Sequence, residues 1–369
     1  YKPAPGEGQT QVDWTAKVSA LTRRRVEILY SSMGFKTFED YLEALGREVL
    51  IEMDDNTFVD HDTLRALLPE WCKNAGANYN HIVASHDITD LPRYFKAGAK
   101  RALVIGGGPS VQRRGHLGQL QKCLYNMSAY RPFFIVATDK MAAQCIENKI
   151  ILDLVVSLDS NLKIREFLTD HVLKAMNKVG AALVLSVTSP PELVAAASKH
   201  RVRCFFHIPW IEAKFAPNVA LMLHSMFDGK VSTMNAAGNC GGLGWVAACA
   251  AGCRKVALIG MDMGYYPDQR LDDTAYAADI RRMAGNDPEK FGKFFSHYEH
   301  KCWGVLGGKY LTDFVFQGYL DTFLALIKGT PAVQTFNCTE GGVLCGERMK
   351  GGVPNLKCIK FKDFLEARG

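Results

Sequence analysis

The sequence lacks the marks of several protein classes. No apolar run reaches the roughly 20 residues of a membrane-spanning helix, so we expect no membrane partner. The polar N-terminus, up to Trp14, does not resemble a signal peptide. No CxxC pair occurs, and the cysteines, 11 in all and thus an odd number, lie mostly in apolar or helical runs. We therefore expect free thiols in a reducing, cytoplasmic protein rather than a disulfide scaffold.

Sequence signatures of several enzyme classes and of nucleic-acid binding are also missing. The Walker loop GxxxxGK[ST] and the nucleophile elbow GxSxG are absent, which disfavours a Walker-type ATPase and a serine hydrolase. Gly106 and Gly108 match the first two glycines of the GxGxxG dinucleotide fingerprint, but Val111 occupies the position of the third glycine. This mismatch disfavours NAD binding. The net charge of +6 is spread along the chain, so we expect no nucleic-acid partner.

From Lys100 onward, short β-type runs alternate with amphipathic segments. Continuous apolar strands that alternate with helices predict an α/β fold, here a Rossmann-like, doubly wound, mainly parallel sheet. The predicted strands are Ala102–Ile105, Phe133–Ala137, Leu154–Leu158, Ala182–Val187, Cys204–Ile208, Val231–Met234, Val256–Ile259 and Val333–Phe336. The predicted helices include Lys140–Asn148, Leu162–Met176, Pro191–Lys199, Gly244–Ala251 and Tyr310–Lys328.

Two further regions frame this predicted domain. Residues 1–98 show apolar residues at helical spacing, with Asp62 placed to cap a helix, and predict a mostly helical N-terminal region. Residues 99–369 form the predicted catalytic domain. Within it, residues 265–308 are polar and rich in aspartate and aromatics, and we interpret them as a helical insertion, either a lid or a plain surface excursion.

The most informative stretch is Gly106-Gly107-Gly108-Pro109-Ser110, directly after the first predicted strand. Glycine lets backbone N–H groups approach a ligand, while Pro109 and Ser110 suit a helix start at which Ser110 caps the first turn. A glycine turn that opens a helix predicts a phosphate site. The alternative is a tight strand-to-helix turn that binds nothing.

Polar residues also follow the later strands. The carboxyl ends of parallel strands meet at one edge of a sheet, and carboxylates beside glycine turns there favour Mg²⁺ and phosphate. For Asp139 or Asp159 alone, helix capping is the simpler interpretation. A second glycine-rich turn, residues 238–244, predicts a second anion site. By their places at the strand ends and in this second turn, the candidate site residues are Asp139, Asp159, His207, Gly238, Asn239, Gly241, Asp262, Thr339 and Glu340.

In their order along the chain, these motifs resemble a known family. The first glycine turn, the Thr138–Lys140 step, the strand ending at Asp159, the second glycine turn, and the segments Ala257–Tyr265 and Asn337–Gly342 occur as in the 6-hydroxymethylpterin diphosphokinase MptE-like family. Bacterial relatives of that family are the motility accessory factor glycosyltransferases of flagellin. The resemblance covers Lys100 to the C-terminus.

The resemblance implies a nucleotide-dependent transferase. Its leading form is a Mg²⁺-dependent diphosphokinase that transfers a pyrophosphoryl group from ATP to a pterin-like alcohol. The alternative is a glycosyltransferase that uses a CMP-activated nonulosonic sugar, and a further alternative is a non-catalytic nucleotide-binding protein. We expect a nucleotide and a small-molecule acceptor as partners, and homo-oligomer formation stays open.

The resemblance also implies roles for the candidate residues. The first glycine turn would face the nucleotide phosphates, and Asp139 and Asp159 would hold Mg²⁺ or substrate. His207 or a carboxylate would accept the proton of the acceptor hydroxyl. The crevice would be lined by Asn239 and Asp262 and closed by Thr339 and Glu340.

Overall fold

The computed structural model describes residue 36 and residues 58–97, 101–126, 132–210, 223–224, 226–285, 287–299 and 309–367. Much of the predicted N-terminal helical region, including the helices expected around Val26 and Phe38, lies outside these residues. The described part of that region contains one long helix, Phe58–Val83, and Asp62 lies inside it rather than at its start.

Helices and strands alternate along most of the described chain. The strands are β1 (His86–Asp87), β2 (Arg101–Ile105), β3 (Phe133–Thr138), β4 (Leu154–Ser157), β5 (Ala182–Ser186), β6 (Cys204–Pro209), β7 (Thr233–Met234), β8 (Lys255–Ile259), β9 (Phe295–Glu299), β10 (Lys309–Asp313), β11 (Gln334–Asn337) and β12 (Leu356–Cys358). The α-helices are α1 (Phe58–Val83), α2 (Leu91–Tyr94), α3 (Ser110–Arg113), α4 (His116–Tyr125), α5 (Asp139–Glu147), α6 (Asp170–Val179), α7 (Pro191–Lys199), α8 (Cys240–Ala250), α9 (Ala277–Met283), α10 (Pro288–Lys293), α11 (Phe314–Lys328) and α12 (Phe361–Glu366).

The chain forms two compact units. The first comprises the described residues of Tyr1–Tyr94 and Val156–Asn235, and the second comprises those of Phe95–Val155 and Ala236–Gly369. The chain leaves the first unit, returns to it within β4 and leaves it again after β7. The compact units are therefore discontinuous in sequence, a feature that the predicted division at residue 98 does not contain.

The first unit is built on parallel strands in the order β1-β6-β5-β4, and β7 also pairs with β6. Ser186 at the end of β5 is aligned with His207 on β6. Every residue of β5 is buried, as expected for a parallel sheet covered on both faces. Helix α7 packs against α1.

The second unit carries parallel strands in the order β3-β2-β8-β11-β12. Strand β2 is buried along its whole length, and α8 packs on β2, β3 and β8. From β2 the chain continues to β3 on one side, while β8 pairs on the other. Ligands of α/β sheets bind at such a reversal of strand order, outside the carboxyl ends of the strands. The predicted α/β class with mainly parallel pairing is confirmed.

Two predicted elements in the first unit differ from the structure. The predicted helix Leu162–Met176 is a 3-10 turn, Leu162–Glu166, followed by α6, because the Thr169 side chain accepts the Val172 N–H at 3.3 Å and starts a new helix there. The predicted strand Val231–Met234 is only the two residues of β7.

The predicted insertion at 265–308 is only partly helical in its described residues. Helices α9 and α10 are short, and β9 pairs antiparallel with β10. The predicted helix Tyr310–Lys328 therefore begins as a strand. It becomes α11 after Asp313, whose side chain accepts the Phe316 N–H at 2.8 Å and caps the helix.

Two composition-based expectations can be compared with the described residues. No helix in them combines the length and the apolar character that crossing a membrane requires. Nine of their cysteines form no disulfide, as expected, but Cys345 is disulfide-bonded, so the expectation of free thiols is wrong at that position.

The contact between α8 and β11 supplies a test of the second unit's core. Trp245 Nε1 donates to Thr335 Oγ1 at 3.0 Å, and both side chains are buried. Trp245→Phe leaves the hydroxyl without its donor, so we expect a loss of about 1–3 kcal/mol in the free energy of unfolding, measured by denaturant titration. The double variant with Thr335→Val should cost less than the two single changes together, and strict additivity would contradict this coupling.

Candidate functional site

Three turns form the functional edge of the second unit. They follow β2, β8 and β11, which are neighbours in the sheet, and they span residues 106–110, 260–266 and 338–343. The first two turns flank the reversal of strand order between β2 and β8. This is the location that the sequence pattern predicts for a ligand.

The turns after β2 and β8 pack backbone against backbone. The Gly106 N–H donates to Ile259 O at 2.8 Å, and the Gly108 N–H donates to Gly260 O at 2.9 Å. A Cβ on Gly106 would lie 2.5 Å from Gly260 O, and a Cβ on Gly108 would lie 2.0 Å from the Asp262 carboxylate. Glycine is therefore required here by the approach of two turns. Two of the N–H groups predicted to face phosphate already bind carbonyl oxygens.

The predicted capping role of Ser110 is wrong. Pro109 is the N-cap of α3, which is a single turn, and Ser110 is its first helical residue. The Ser110 hydroxyl donates to Asp262 Oδ2 at 2.7 Å, and the Ser110 N–H approaches the same oxygen at 3.4 Å. An N-cap side chain accepts an N–H of the first helical turn, and Ser110 lies one residue beyond the position from which it could do so.

Asp262 is almost completely buried and has an altered acidity. Burial raises the pKa of Asp262 to about 6. Hydrogen bonds from Ser110 and Tyr266 and the electrostatic potential of His116 act in the opposite direction, because they favour the charged carboxylate. The Arg113 guanidinium lies over the Tyr266 ring, with its central carbon 4.2 Å from the ring centroid. A cationic and aromatic layer thus lies beside the acid.

The turn after β11 is held by its own predicted site residues. Thr339 Oγ1 accepts the Met261 N–H at 3.2 Å. Glu340 Oε2 lies 3.3 Å from Nε2 of the buried His116 and 3.4 Å from the Phe361 N–H. Burial opposes the charge on Glu340, but these contacts outweigh it and lower its pKa. Both side chains therefore fix the position of the turn, and their assignment to the nucleotide stays a prediction.

One face of the first glycine turn is open. Gly107 and Pro109 are exposed, unlike the fully buried Ser110. The exposed Lys140, at the start of α5, lays its aliphatic chain over Gly107, with Cδ 3.2 Å from where a Cβ on Gly107 would lie. A lysine beside an exposed glycine backbone suits a phosphate-bearing ligand.

Protein side chains pack against two glycines of the predicted second anion site. Gly238 has a φ of +71°, and a Cβ there would lie 2.7 Å from the Tyr319 ring. A Cβ on Gly241 would lie 2.2 Å from Met261 Sδ. These glycines make room for side chains of the same unit, and that packing explains them without a ligand.

The start of α8 is also occupied. Asn239 Oδ1 accepts the Gly242 N–H at 2.9 Å and caps the helix. The buried Asp139 accepts from the Cys240 thiol at 3.4 Å, so a carboxylate already lies at the positive end of the helix dipole. An anion at this end would meet like charge.

The two predicted Mg²⁺ ligands belong to different units. Asp139 lies in the second unit, where its Oδ1 accepts the Lys140 N–H at 2.7 Å. Asp159 lies exposed in the first unit, where its Oδ1 accepts the Asn161 N–H at 2.8 Å. The pKa of Glu70 on α1 is raised, first by burial and then by the charge of Asp159.

A prebuilt metal site is not found in the described part of the chain. No group of three or more histidine, cysteine, aspartate or glutamate side chains there is arranged to hold an ion. Each predicted ligand already has one oxygen engaged with a backbone N–H. The assignment of the metal to Asp139 and Asp159 stays a prediction, because Mg²⁺ commonly takes only one or two protein carboxylates together with substrate phosphates.

His207 lies inside β6 in the first unit and is completely buried. Burial lowers its pKa to about 4, so the imidazole is neutral at physiological pH. A hydrogen bond with the Ile208 backbone and the charge of Asp87 act in the opposite direction, because both favour the protonated ring.

From the sequence, no role is predicted for several residues at these sites. In the second unit they are Lys140 over the glycine turn and His116 against Glu340. In the first unit, Trp71, Asn74 and Asn78 reach from α1 to the turns after β4 and β5. Their spacing of three and four residues is a polar stripe on one helix face, a signal that the sequence does contain.

Comparison with known proteins identifies the family to which the sequence is similar. The sequence model described as "6-hydroxymethylpterin diphosphokinase MptE-like" matches residues 73–268, more than half of the chain. No curated protein matches. Among solved structures, the MAf glycosyltransferase from Magnetospirillum magneticum AMB-1 is similar, with 14% sequence identity and a TM-score of 0.45 over 76% of this chain. The matched part spans 39% of the length of that protein.

Two glycines of the first turn give a matched pair of substitutions. Gly108→Ala places a Cβ 2.0 Å from the Asp262 carboxylate, whereas a Cβ on Gly107 meets only the flexible Lys140 side chain at 3.2 Å. We expect Gly108→Ala to cost about 3 kcal/mol or more in the free energy of unfolding, and Gly107→Ala to cost under about 1 kcal/mol. Equal costs would show that the two turns are not interlocked.

Asp262 gives a pH-dependent prediction. Its folded pKa of about 6 lies above the ordinary value of 3.8, so its protonated form stabilises the fold at low pH, and that contribution is lost as the pH rises through 6. A shift of about two pKa units corresponds to about 3 kcal/mol. The stability of Asp262→Asn relative to the unchanged protein should therefore rise by up to that amount between pH 4 and 7.

The exposed Asp268 on the same loop is the control for this measurement. Its hydrogen bond to Arg113 lowers its pKa, so Asp268→Asn should show no such rise. Stability curves that run parallel for Asp262→Asn and the unchanged protein would refute the assignment of a perturbed acid.

Proposed function

The chain belongs to the 6-hydroxymethylpterin diphosphokinase MptE-like family, and from this premise we propose that it is a nucleotide-dependent transferase. The donor binds at the functional edge of the second unit. The observation that supports this most directly is the open face of the first glycine turn, where exposed Gly107 and Pro109 lie beside Lys140. That face lies at the reversal of strand order, where α/β sheets bind nucleotides.

Different residues at this edge have different proposed roles. Lys140 supplies the positive charge for the donor phosphates, and Gly107 lets them approach the backbone. Asp262 lies beneath the turn and holds Ser110, so we assign it a positioning role rather than contact with the donor. Catalysis of this kind consists mainly of orienting the donor and stabilising the charge that develops on it.

The leading reaction is transfer of a pyrophosphoryl group from ATP to an alcohol acceptor. Such transfer uses Mg²⁺ to neutralise phosphate charge. Because the described carboxylates form no prebuilt metal site, magnesium in this proposal arrives with the nucleotide as part of the substrate.

A second candidate is transfer of a sugar from a CMP-activated donor. The observation that favours it is the engagement of Asp139 with Lys140 and Cys240, which leaves this carboxylate occupied within the protein. Sugar transfer from a nucleoside monophosphate donor needs no protein-held metal at that position.

A thermal-shift panel separates the two reactions. ATP, GTP, CMP and CMP-sialic acid are each added with and without Mg²⁺, and a ligand that binds the folded chain raises its melting temperature. Stabilisation by ATP only in the presence of Mg²⁺ supports the diphosphokinase, and stabilisation by CMP without metal supports the sugar transferase. If none of the four raises the melting temperature, the proposal fails; binding without turnover of any acceptor indicates a non-catalytic protein.

Lys140 gives the site-specific prediction. Lys140→Ala should weaken binding of the stabilising nucleotide about tenfold, or about 1.4 kcal/mol, and Lys140→Arg should restore most of it, as measured by isothermal titration calorimetry. The exposed Lys122 on α4 is the matched control, and Lys122→Ala should bind normally. Equal affinities for the Lys140 and Lys122 variants would exclude this face as the donor site.

A further inference from the structure

Arg113, in the second unit, is an exposed arginine whose guanidinium is held in place on two sides. Its central carbon lies 4.2 Å from the centroid of the Tyr266 ring, so one face of the guanidinium lies over that ring. Its Nη2 donates to both carboxylate oxygens of Asp268, at 3.0 Å and 2.8 Å. The Arg113 side chain is nevertheless 45% exposed. Since one face is covered by the ring, the exposed part includes the opposite face, which is a flat surface open to solvent.

The ring beneath this guanidinium is itself fixed by packing. Tyr266 is only 8% exposed, and its ring centroid lies 5.4 Å from that of Tyr310 in an edge-on contact. A Cβ on Gly341 would lie 2.3 Å from the Tyr266 hydroxyl, so the turn after β11 packs closely against the end of this ring. The flat surface of Arg113 is therefore supported by a buried aromatic pair and not by another exposed side chain.

The Arg113 surface adjoins the open face of the first glycine turn. The Arg113 N–H donates to Pro109 O at 3.1 Å, so the two residues lie one turn apart on the same side of α3. Pro109 and Gly107 are exposed beside Lys140, where we place the donor phosphates. One helical turn rises about 5.4 Å, which is similar to the length of the ribose that separates the phosphates of a nucleotide from its base.

The charge of Arg113 is already paired with a carboxylate. Asp268 accepts two charge-assisted hydrogen bonds from it, which leaves the guanidinium less suited to hold a phosphate. The planar face stays available, and guanidinium planes stack on nucleic-acid bases because both groups are flat and the base has a π-system. The part of a nucleotide that suits this surface is therefore the base.

We propose that the open face of Arg113 stacks on the base of the donor nucleotide, whose phosphates bind at Gly107 and Lys140. This inference rests on the proposed function, because it needs a nucleotide as the donor. It makes Arg113 a specificity-determining residue for nucleotides over phosphates and sugar phosphates that carry no base. Stacking of this kind tolerates different bases, since every base has a π-face.

The substitution Arg113→Lys tests the proposal, because it keeps the positive charge and removes the plane. Whichever of ATP, GTP, CMP and CMP-sialic acid binds the unchanged protein should bind the variant about fivefold or more weakly, as measured by titration calorimetry. Tripolyphosphate is the matched probe without a base for ATP and GTP, and ribose 5-phosphate serves for the two CMP compounds. These two probes should bind the variant and the unchanged protein equally well.

Saturation-transfer NMR of the bound nucleotide adds a measurement that a purely structural arginine would not change. Saturation passes from the protein to the ligand protons that touch it, so the base protons should receive more of it than the ribose protons. Arg113→Lys should lower this base-to-ribose ratio. Lys140→Ala should weaken nucleotide binding and leave the ratio unchanged, because the lysine contacts the phosphates.

Arg281 offers a matched control in the same unit. Its guanidinium carbon lies 4.5 Å from the Phe291 ring centroid, it is paired with Asp272, and its side chain is 41% exposed, so its contacts resemble those of Arg113. It lies on α9 and not beside the glycine turn. Arg281→Lys should lower the melting temperature about as much as Arg113→Lys, and it should leave both the nucleotide affinity and the NMR ratio unchanged.

The outcomes separate this inference from the proposed function. The base-stacking role is refuted if Arg113→Lys binds the nucleotide like the unchanged protein, if it weakens the base-free probes as much as the nucleotide, or if the NMR ratio does not fall. In each of these cases the donor site stands, provided that Lys140→Ala still weakens nucleotide binding. If none of the four nucleotides binds the unchanged protein, the proposed function fails, and the role of Arg113 fails with it.

Discussion

The hydrogen bond between the Ser110 hydroxyl and the buried Asp262 carboxylate organises the second unit's functional edge. It joins the turn after β2 to the turn after β8. The backbone of Asp262 in turn accepts the Val343 N–H at 2.7 Å, which brings in the turn after β11. Gly342 completes the contact, because a Cβ there would lie 2.2 Å from Asp262 O. One buried acid therefore sets the relative positions of all three turns.

This constraint changes how the glycines are understood. A run of three glycines before a helix is typical of phosphate loops, yet Gly106 and Gly108 are required by backbone packing. Only Gly107 presents an open face, and a lysine covers part of it. The ligand-binding part of the motif is therefore one residue and its neighbours, and the rest of the motif builds the support beneath it.

The fold and the identity of the strand-end residues could be predicted from the sequence, because buried parallel strands and glycine turns are local patterns. Strands β2, β3, β5 and β8 lie where apolar runs predict them, and the family follows from motifs in order. The contacts of Ser110 could not be predicted: its hydroxyl donates to Asp262, 152 residues away in the sequence, and no local pattern contains that pairing. The same holds for His116 and Glu340, which meet through tertiary packing across 224 residues.

The amino-acid sequence on its own determined the α/β class, the family and the set of turns at which polar residues gather, since each depends on short-range periodicity and composition. Tertiary structure alone decided which of those residues are engaged and which are open. Hydrogen bonds and burial between distant segments committed Gly106, Gly108, Ser110 and Glu340 to holding the fold, and left Lys140 and Gly107 exposed. Local sequence cannot show this, because the partner that satisfies a polar group is chosen only when remote segments come together.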